Sequence, residues 1–351
     1  MIQAYAVKQP KGRLERIAYD PGALESDQVE IEVIACGVCH SDLSMVNSEW
    51  GDISYPLVPG HEVVGTIAQL GAHVQHLKVG DRVGLGWFSG SCMVCNQCLS
   101  GNHNLCPTRE QTIVGRHGGF ADKVRCKAEW ATPLPAGIDI RKAGPLFCGG
   151  ITVFNPLVQF DVRPTHHVGV IGIGGLGHLA LQFLNKWGCE VTAFTSSDAK
   201  RDEAMQMGAH HAVNSRDASQ LKKLAGSLDF ILSTVAVDLD WESYLAALAP
   251  KGRLHIVGAA PSPIPVPAFT LIGHQRSLSG TPAGSPFTIR TMLDFCARHS
   301  IEPVVEYFPM PGQRGTGPSR GGEGALPHRV GERSGVRRSR DFRQWPEEQG
   351  Q

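Results

Sequence analysis

From residue 167 to 281, short apolar runs of β type alternate with segments of helical length. HVGVIG, CEVTAFT, HHAV, LDFILST, GRLHIVG and RSLSGT read as strands, rich in Val, Ile, Phe and Thr and bounded by Gly, Asp or Ser. Between the first five lie LGHLALQFLNKW, SDAKRDEAMQMG, DASQLKKLAG and LDWESYLAALA, which read as helices. A strand reached only through a helix runs parallel to the strand before it, and a parallel sheet must be covered on both faces. The alternation therefore predicts a doubly wound α/β domain over about 153–282.

One turn of that domain carries chemistry. Gly172-Ile-Gly174-Gly175-Leu176-Gly177 follows the first strand and opens the first helix. The first glycine allows the tight turn, Gly174 lets a pyrophosphate approach the backbone, and Gly177 permits close helix–strand packing. A helix start adds N–H groups and a positive dipole end. The context of strand, turn and helix turns a common pattern into a dinucleotide-site expectation. The end of the next strand, AFTSSDAKR, selects between cofactors. Sites for NAD place a carboxylate there for the ribose hydroxyls, whereas this chain has Thr195, Ser196 and Ser197, with Lys200 and Arg201 within reach. Hydroxyls with cations suit a 2′-phosphate, so NADP(H) is expected, with Asp198 as the dissenting charge.

Residues 1–152 have a different texture. QVEIEVIACG, EVVGTIAQLG and GDRVGLGW are β-type runs cut by glycine, which predicts a β-rich lobe. Further on, FTIRTMLDFCARHS reads as an amphipathic helix and EPVVEYF as a strand that returns to this lobe. A chain of 351 residues is too long for one small core, so two domains are expected. Lys plus Arg equals Asp plus Glu at 33 each, which leaves no net field to favour nucleic acid or a membrane surface. The first residues, MIQAYAVKQPKGRLE, lack a basic-then-apolar signal pattern, and the longest apolar stretch is broken by glycines and His178. With ten cysteines besides, a reducing, cytoplasmic location is expected, with metal ligation rather than disulfides.

The cysteines fall into sets. Cys92, Cys95, Cys98 and Cys106 sit in one short loop, GSCMVCNQCLSGNHNLCP, whose spacing can place four thiolates around one structural zinc ion. Cys39, His61 and Cys148 offer one nitrogen and two sulfurs and leave a fourth position open, the arrangement of a catalytic zinc. Glu62 could close that position when no substrate is bound. Each residue alone is ordinarily a packing residue, so the set carries the weight. Cys36 is the nearby competitor as a ligand; Cys126, Cys189 and Cys296 have no sequence partner and read as small buried residues. Two zinc ions and a nicotinamide cofactor in one chain point to metal-assisted hydride transfer.

ACGVCHSDL, PLVPGHEVVG, the four-cysteine loop, HGGFAD, AGPLFCGGITVF and GVIGIGGLGH together resemble the zinc-dependent medium-chain alcohol dehydrogenases. The resemblance covers residues 1 to about 310. It is strongest to the cinnamyl alcohol dehydrogenase branch, and within it to broad-range bacterial NADPH-dependent aldehyde reductases. It implies a GroES-like catalytic domain over 1–152, rejoined by 283–310, and a Rossmann domain over 153–282, with NADPH and substrate meeting between them. It implies aldehyde reduction to a primary alcohol, with NAD-linked alcohol or polyol oxidation as the alternative. It also implies catalytic-zinc ligation by Cys39, His61 and Cys148, with Ser41 as the proton-relay hydroxyl and Asp42 as the carboxylate orienting a ligand histidine. Many relatives have histidine at the position of Ser44; serine cannot take up a proton near neutral pH, so exchange through water or His40 is expected here. Trp50, Trp87 and Phe88 are expected to line an apolar substrate channel, and RSLSGT to form the edge through which relatives pair as dimers.

From Pro311 the composition breaks. The stretch has nine glycines, eight arginines and no lysine, and its few apolar residues have no period. Such a tail cannot repay its ordering entropy, so disorder is expected over 311–351. Read one nucleotide later, the possible codons permit PANEALDHLEAGKARYRIVLES, a helix followed by a strand of the kind relatives carry. A frameshift is therefore a second reading of the tail. With it comes the alternative of a catalytically impaired protein that still binds zinc and NADPH.

Overall fold

The computed structural model describes residues 1–51, 53–309 and 325–328. The chain divides into two compact units. The first takes the residues up to Cys148 and those from Gly284, and the second runs from Gly149 to Ala283. The strand–helix alternation and the family resemblance put the cofactor domain at 153–282, with the first lobe over 1–152 and again from 283.

The first unit is built on one sheet. Its central strand, Gln28–Gly37, pairs antiparallel with Glu62–Leu70, which pairs in turn with Arg82–Leu85 and then with the short Thr132–Pro133. Lys123–Lys127 lies along the start of the central strand. In that strand Val124 and Cys126 point inward, while Lys123, Arg125 and Lys127 do not, the period-two signature of a half-buried strand. Lys123 Nζ (2.8 Å) and Arg125 Nε (2.9 Å) grip the buried Glu30 carboxylate across the ladder. Burial would raise the pKa of Glu30, but these two cations outweigh it and hold the carboxyl below its ordinary value.

The segment 302–308 returns to this lobe as expected, with Glu306–Pro309 forming a strand at the sheet's far edge. Before it, Pro286–His299 is a helix with Pro286 in its first turn; the Ser285 hydroxyl accepts the Thr288 N–H at 3.3 Å and caps it. Of the expected tail, Ala325–His328 is a strand between Glu306–Pro309 and the central strand, where disorder was expected. The other residues of that tail lie outside the described residues.

The second unit holds a six-stranded, all-parallel sheet. Its order is His211–Asn214, Glu190–Thr195, His167–Ile171, Leu228–Ser233, Leu248–Ile256, Ser277–Gly280. Chain order reverses at His167–Ile171, so the strand feeding the glycine turn lies at the point where such sheets open a ligand crevice. The helix that follows the glycine turn, Gly177–Trp187, ends at Gly188 in the left-handed conformation (φ 99°). Two details differ from the sequence reading. The expected helix over 197–208 is a single 3-10 turn followed by Arg201–Gln206, and extended chain begins already at Leu248. A third element was missed: Gly149–Gln159 is helical although it contains two glycines and Pro156. Local propensity argues against it, but Ile151, Val153, Phe154 and Leu157 are all buried, and tertiary packing wins.

Among the described residues no helix is long and apolar enough to cross a membrane. In the second unit, Phe154 packs edge-to-face on Phe183 and Trp187, with centroids 5.2 and 5.6 Å apart. Phe183→Ala would open a large cavity there. It is expected to cost the cofactor unit about 3–5 kcal/mol, read as a lowered denaturant midpoint of that unit's unfolding.

Candidate active site

The metal-type residues are brought together by the sheet of the first unit. Cys39 stands at the N-terminus of the helix His40–Val46, just after the central strand. His61 precedes the neighbouring strand, Glu62 begins it, and Cys148 follows the 3-10 turn Gly144–Phe147. One ligand atom from each of Cys39, His61, Glu62 and Cys148 lies within 4.8 Å of all the others. His61 Nε2 is 3.2 Å from Cys148 Sγ, and the two sulfurs are 3.8 Å apart. Two sulfurs, one nitrogen and one carboxylate in that space suit zinc, with the carboxylate as the replaceable donor. Cys36 is not part of the group; its buried thiol faces the Gly37 carbonyl at 3.6 Å.

Asp42 organises these ligands. One oxygen accepts the Gly60 N–H (2.8 Å) and contacts His61 Nδ1 (2.9 Å); the other accepts the Cys39 N–H (3.0 Å). The contact at Nδ1 leaves Nε2 of His61 for the metal. Burial alone would lower the pKa of His61, but the charge and hydrogen bond of Asp42 push it well above its ordinary value. The hydrogen bond with Cys148 outweighs burial and holds the Cys39 thiol well below the usual thiol range. Burial, with the Cys39 charge second, pushes Glu62 well above the carboxylate range.

Ser41 is half-buried, with its Oγ 3.7 Å from Cys39 Sγ. His40 is exposed in the first turn of the helix, while Ser44 is buried one turn on. The Trp87 ring meets the His61 ring edge-on at 4.9 Å, and Trp50, half exposed, meets Trp87 at 5.9 Å. Phe88 departs from the expected channel. Its side chain is buried against Trp130 beneath the Arg109 guanidinium, at the start of the short strand Phe88–Gly90.

The second cysteine group also converges. Cys92, Cys95, Cys98 and Cys106 offer sulfurs that all lie within 4.8 Å of one another. The Cys95 N–H donates to Cys92 Sγ at 3.3 Å and the Cys92 N–H to Cys106 Sγ at 3.5 Å, bonds that favour thiolates. The remaining cysteines Cys126, Cys189 and Cys296 are buried, as expected.

In the second unit Gly172 turns the chain with φ +86°, and a side chain at Gly177 would overlap the Gly172 carbonyl oxygen. A Cβ added at Gly174 or Gly175 would meet nothing within 4 Å, so this backbone is open to a phosphate. Leu176 precedes the helix. Two residues that shape the turn were missed from sequence. The Thr234 hydroxyl reaches the carbonyls of Ile171 and Gly172 at 2.9 Å each, and His178 Nδ1 reaches the Gly174 carbonyl at 3.2 Å. The only local hint was a threonine ending the strand LDFILST. Thr195 corrects the cofactor reading in part. Its buried hydroxyl donates to the Ser197 carbonyl at 3.0 Å, so it shapes the loop rather than facing a ribose. Ser196 and Arg201 are exposed, Ser197 and Lys200 half-buried, and Arg201 lies 4.0 Å from the Asp198 carboxylate.

Comparison with known proteins decides the family. Residues 25–136 match the alcohol dehydrogenase GroES-like domain, and residues 175–298 match the zinc-binding dehydrogenase family. An aldehyde reductase of Synechocystis is 58% identical over 308 residues, which span 88% of this chain and 92% of the relative. This chain is a zinc-dependent alcohol dehydrogenase. Among solved structures, a cinnamyl alcohol dehydrogenase of Sorghum bicolor matches with a TM-score of 0.83 at 36% identity, over 87% of this chain and 90% of that one. A Helicobacter pylori cinnamyl alcohol dehydrogenase complexed with NADP(H) matches with a TM-score of 0.81 at 30% identity, over 88% and 91%.

For this dehydrogenase, metal analysis is expected to find about two zinc ions per chain, one for each group. Cys98→Ser should remove the structural ion, lower the thermal midpoint and leave the catalytic-site ion in place. A pH dependence follows from His178, whose burial lowers its pKa to about 4 from an ordinary 6.5. Between these values the unfolded chain binds a proton that the folded one refuses, so stability falls as pH drops through that window. The effect is on the order of 3 kcal/mol. His178→Asn should flatten that part of a stability-versus-pH curve.

Proposed function

We propose that this dehydrogenase reduces aldehydes to primary alcohols with NADPH, and runs the reverse oxidation when alcohol is in excess. The observation that carries the reading is the convergence of Cys39, His61 and Cys148 with Glu62 as a fourth, replaceable donor. Bound there, zinc supplies a Lewis acid for the carbonyl oxygen, and NADPH supplies the hydride. The residues do the rest. Asp42 holds His61 in the tautomer that presents Nε2. The Ser41 hydroxyl, beside Cys39, is the group that hands a proton to the product oxygen. His40, exposed one residue away, exchanges that proton with water, a role that buried Ser44 is poorly placed to fill. Trp87 and Trp50 supply apolar surface beside His61, which suits aldehydes with aromatic or alkyl bodies.

The backbone of Gly174, Gly175 and Leu176 receives the pyrophosphate. Ser196, Ser197 and Lys200, with Arg201 behind them, receive the 2′-phosphate; no carboxylate stands at the strand end where NAD sites carry one. The Helicobacter relative bound to NADP(H) supports this cofactor. Ser277–Gly280, at the edge of the parallel sheet, supports a homodimer joined through that strand, and a cytoplasmic location fits the free cysteines.

Oxidation of NADPH and of NADH with aliphatic, benzylic and cinnamyl aldehydes tests the reading. NADPH is expected to give the higher kcat/KM, and Lys200→Ala to erode that preference by ~10–100-fold. Ser41→Ala is expected to lower kcat by ~10²–10⁴-fold with both zinc ions retained. A preference for NADH would return the chain to NAD-linked alcohol oxidation. Full zinc and NADPH binding without turnover would mark it as catalytically impaired, and sequencing the gene around Pro311 would then test the frameshift.

A further inference from the structure

Glu62 reaches the ligand group across a gap in the neighbouring strand. In the antiparallel ladder of Gln28–Gly37 with Glu62–Leu70, Gly37 and Glu62 are direct partners. Directly opposed residues ordinarily hold their Cβ atoms about 4.5–5.5 Å apart. Here a Cβ added to Gly37 would overlap Glu62 Oε2 and stand 2.9 Å from both Cβ and Cδ of Glu62. The clash therefore involves the root of the glutamate as well as its tip, and swinging the carboxylate aside would not relieve it. Gly37 is buried and extended, outside the left-handed region, so its backbone conformation does not call for glycine. What the site needs from this residue is the missing side chain.

We infer that Gly37 is a positioning residue: the space where its side chain would be lets the Glu62 carboxylate lie across the strand and join Cys39, His61 and Cys148. Without that gap the carboxylate would be displaced from the ligand group. The metal would then be held by three protein donors and would be released more readily. The inference rests on the reading that these four residues hold a metal, and it adds that access of the protein's own fourth donor is set from the adjacent strand.

The test is a double-mutant cycle on the full chain, using Gly37→Ala, Glu62→Gly and the pair. Glu62→Gly is chosen because it removes the Cβ as well as the carboxylate. The readouts are the rate of metal loss from the catalytic group to a chelator and the visible spectrum of protein with cobalt at that group. The four-cysteine ion serves as an internal control for folding. Gly37→Ala is expected to speed metal loss at least tenfold and to shift the cobalt bands, as Glu62→Gly does. Adding Gly37→Ala to Glu62→Gly should then change nothing. If Gly37→Ala does not fold, a folded double variant supports the inference and an unfolded one overturns it. A wild-type-like Gly37→Ala, or an effect undiminished in the Glu62→Gly background, also overturns it. Wild-type protein with metal only at the four cysteines would instead overturn the catalytic-metal reading itself, and this inference with it.

Discussion

The catalytic group depends on one buried carboxylate. Asp42 accepts the N–H groups of Cys39 and Gly60 and holds the His61 ring, so one side chain joins a helix start, a turn and a ligand. These segments are far apart in sequence, and their thiol and imidazole groups would otherwise occupy many rotamers. A bare carboxylate has no place in a fully buried site unless it is this well bonded. Asp42 therefore both needs the fold and specifies it, and the ring it orients presents Nε2 toward Cys148.

The rest of the first unit supports that anchor. The sheet puts Gly37 opposite Glu62, and the 3-10 turn before Cys148 brings the second sulfur back to the first. The four-cysteine loop sits on a separate excursion of the same unit, and its backbone N–H groups already point at sulfur. Metal binding at such a loop is coupled to folding, because an unfolded chain holds no preformed cage. The two groups thus divide the work, one closing a loop and the other keeping a donor that can be replaced.

The second unit is organised by the glycine turn at the reversal of strand order. Thr234, just after the adjacent strand Leu228–Ser233, and His178 from the following helix both fix carbonyls of that turn, leaving Gly174 and Gly175 open. His178 donates its Nδ1–H to that carbonyl, and its burial among apolar helix residues holds its pKa well below the ordinary imidazole value.

Much was legible from the chain alone. Ligand chemistry is carried by residue type, and a parallel sheet announces itself through apolar runs alternating with helical periods, so Cys39, His61, Cys148, the four-cysteine loop and the glycine turn could be named in advance. Only tertiary structure decided matters that depend on which face a side chain takes or on partners distant in sequence. It turned Phe88 into the core beside Trp130, spent the Thr195 hydroxyl on its own loop, and made a helix of Gly149–Gln159 against local propensity. It also paired Gly37 with Glu62. Strand register and packing are set by contacts between distant segments, and no local pattern of residues encodes them.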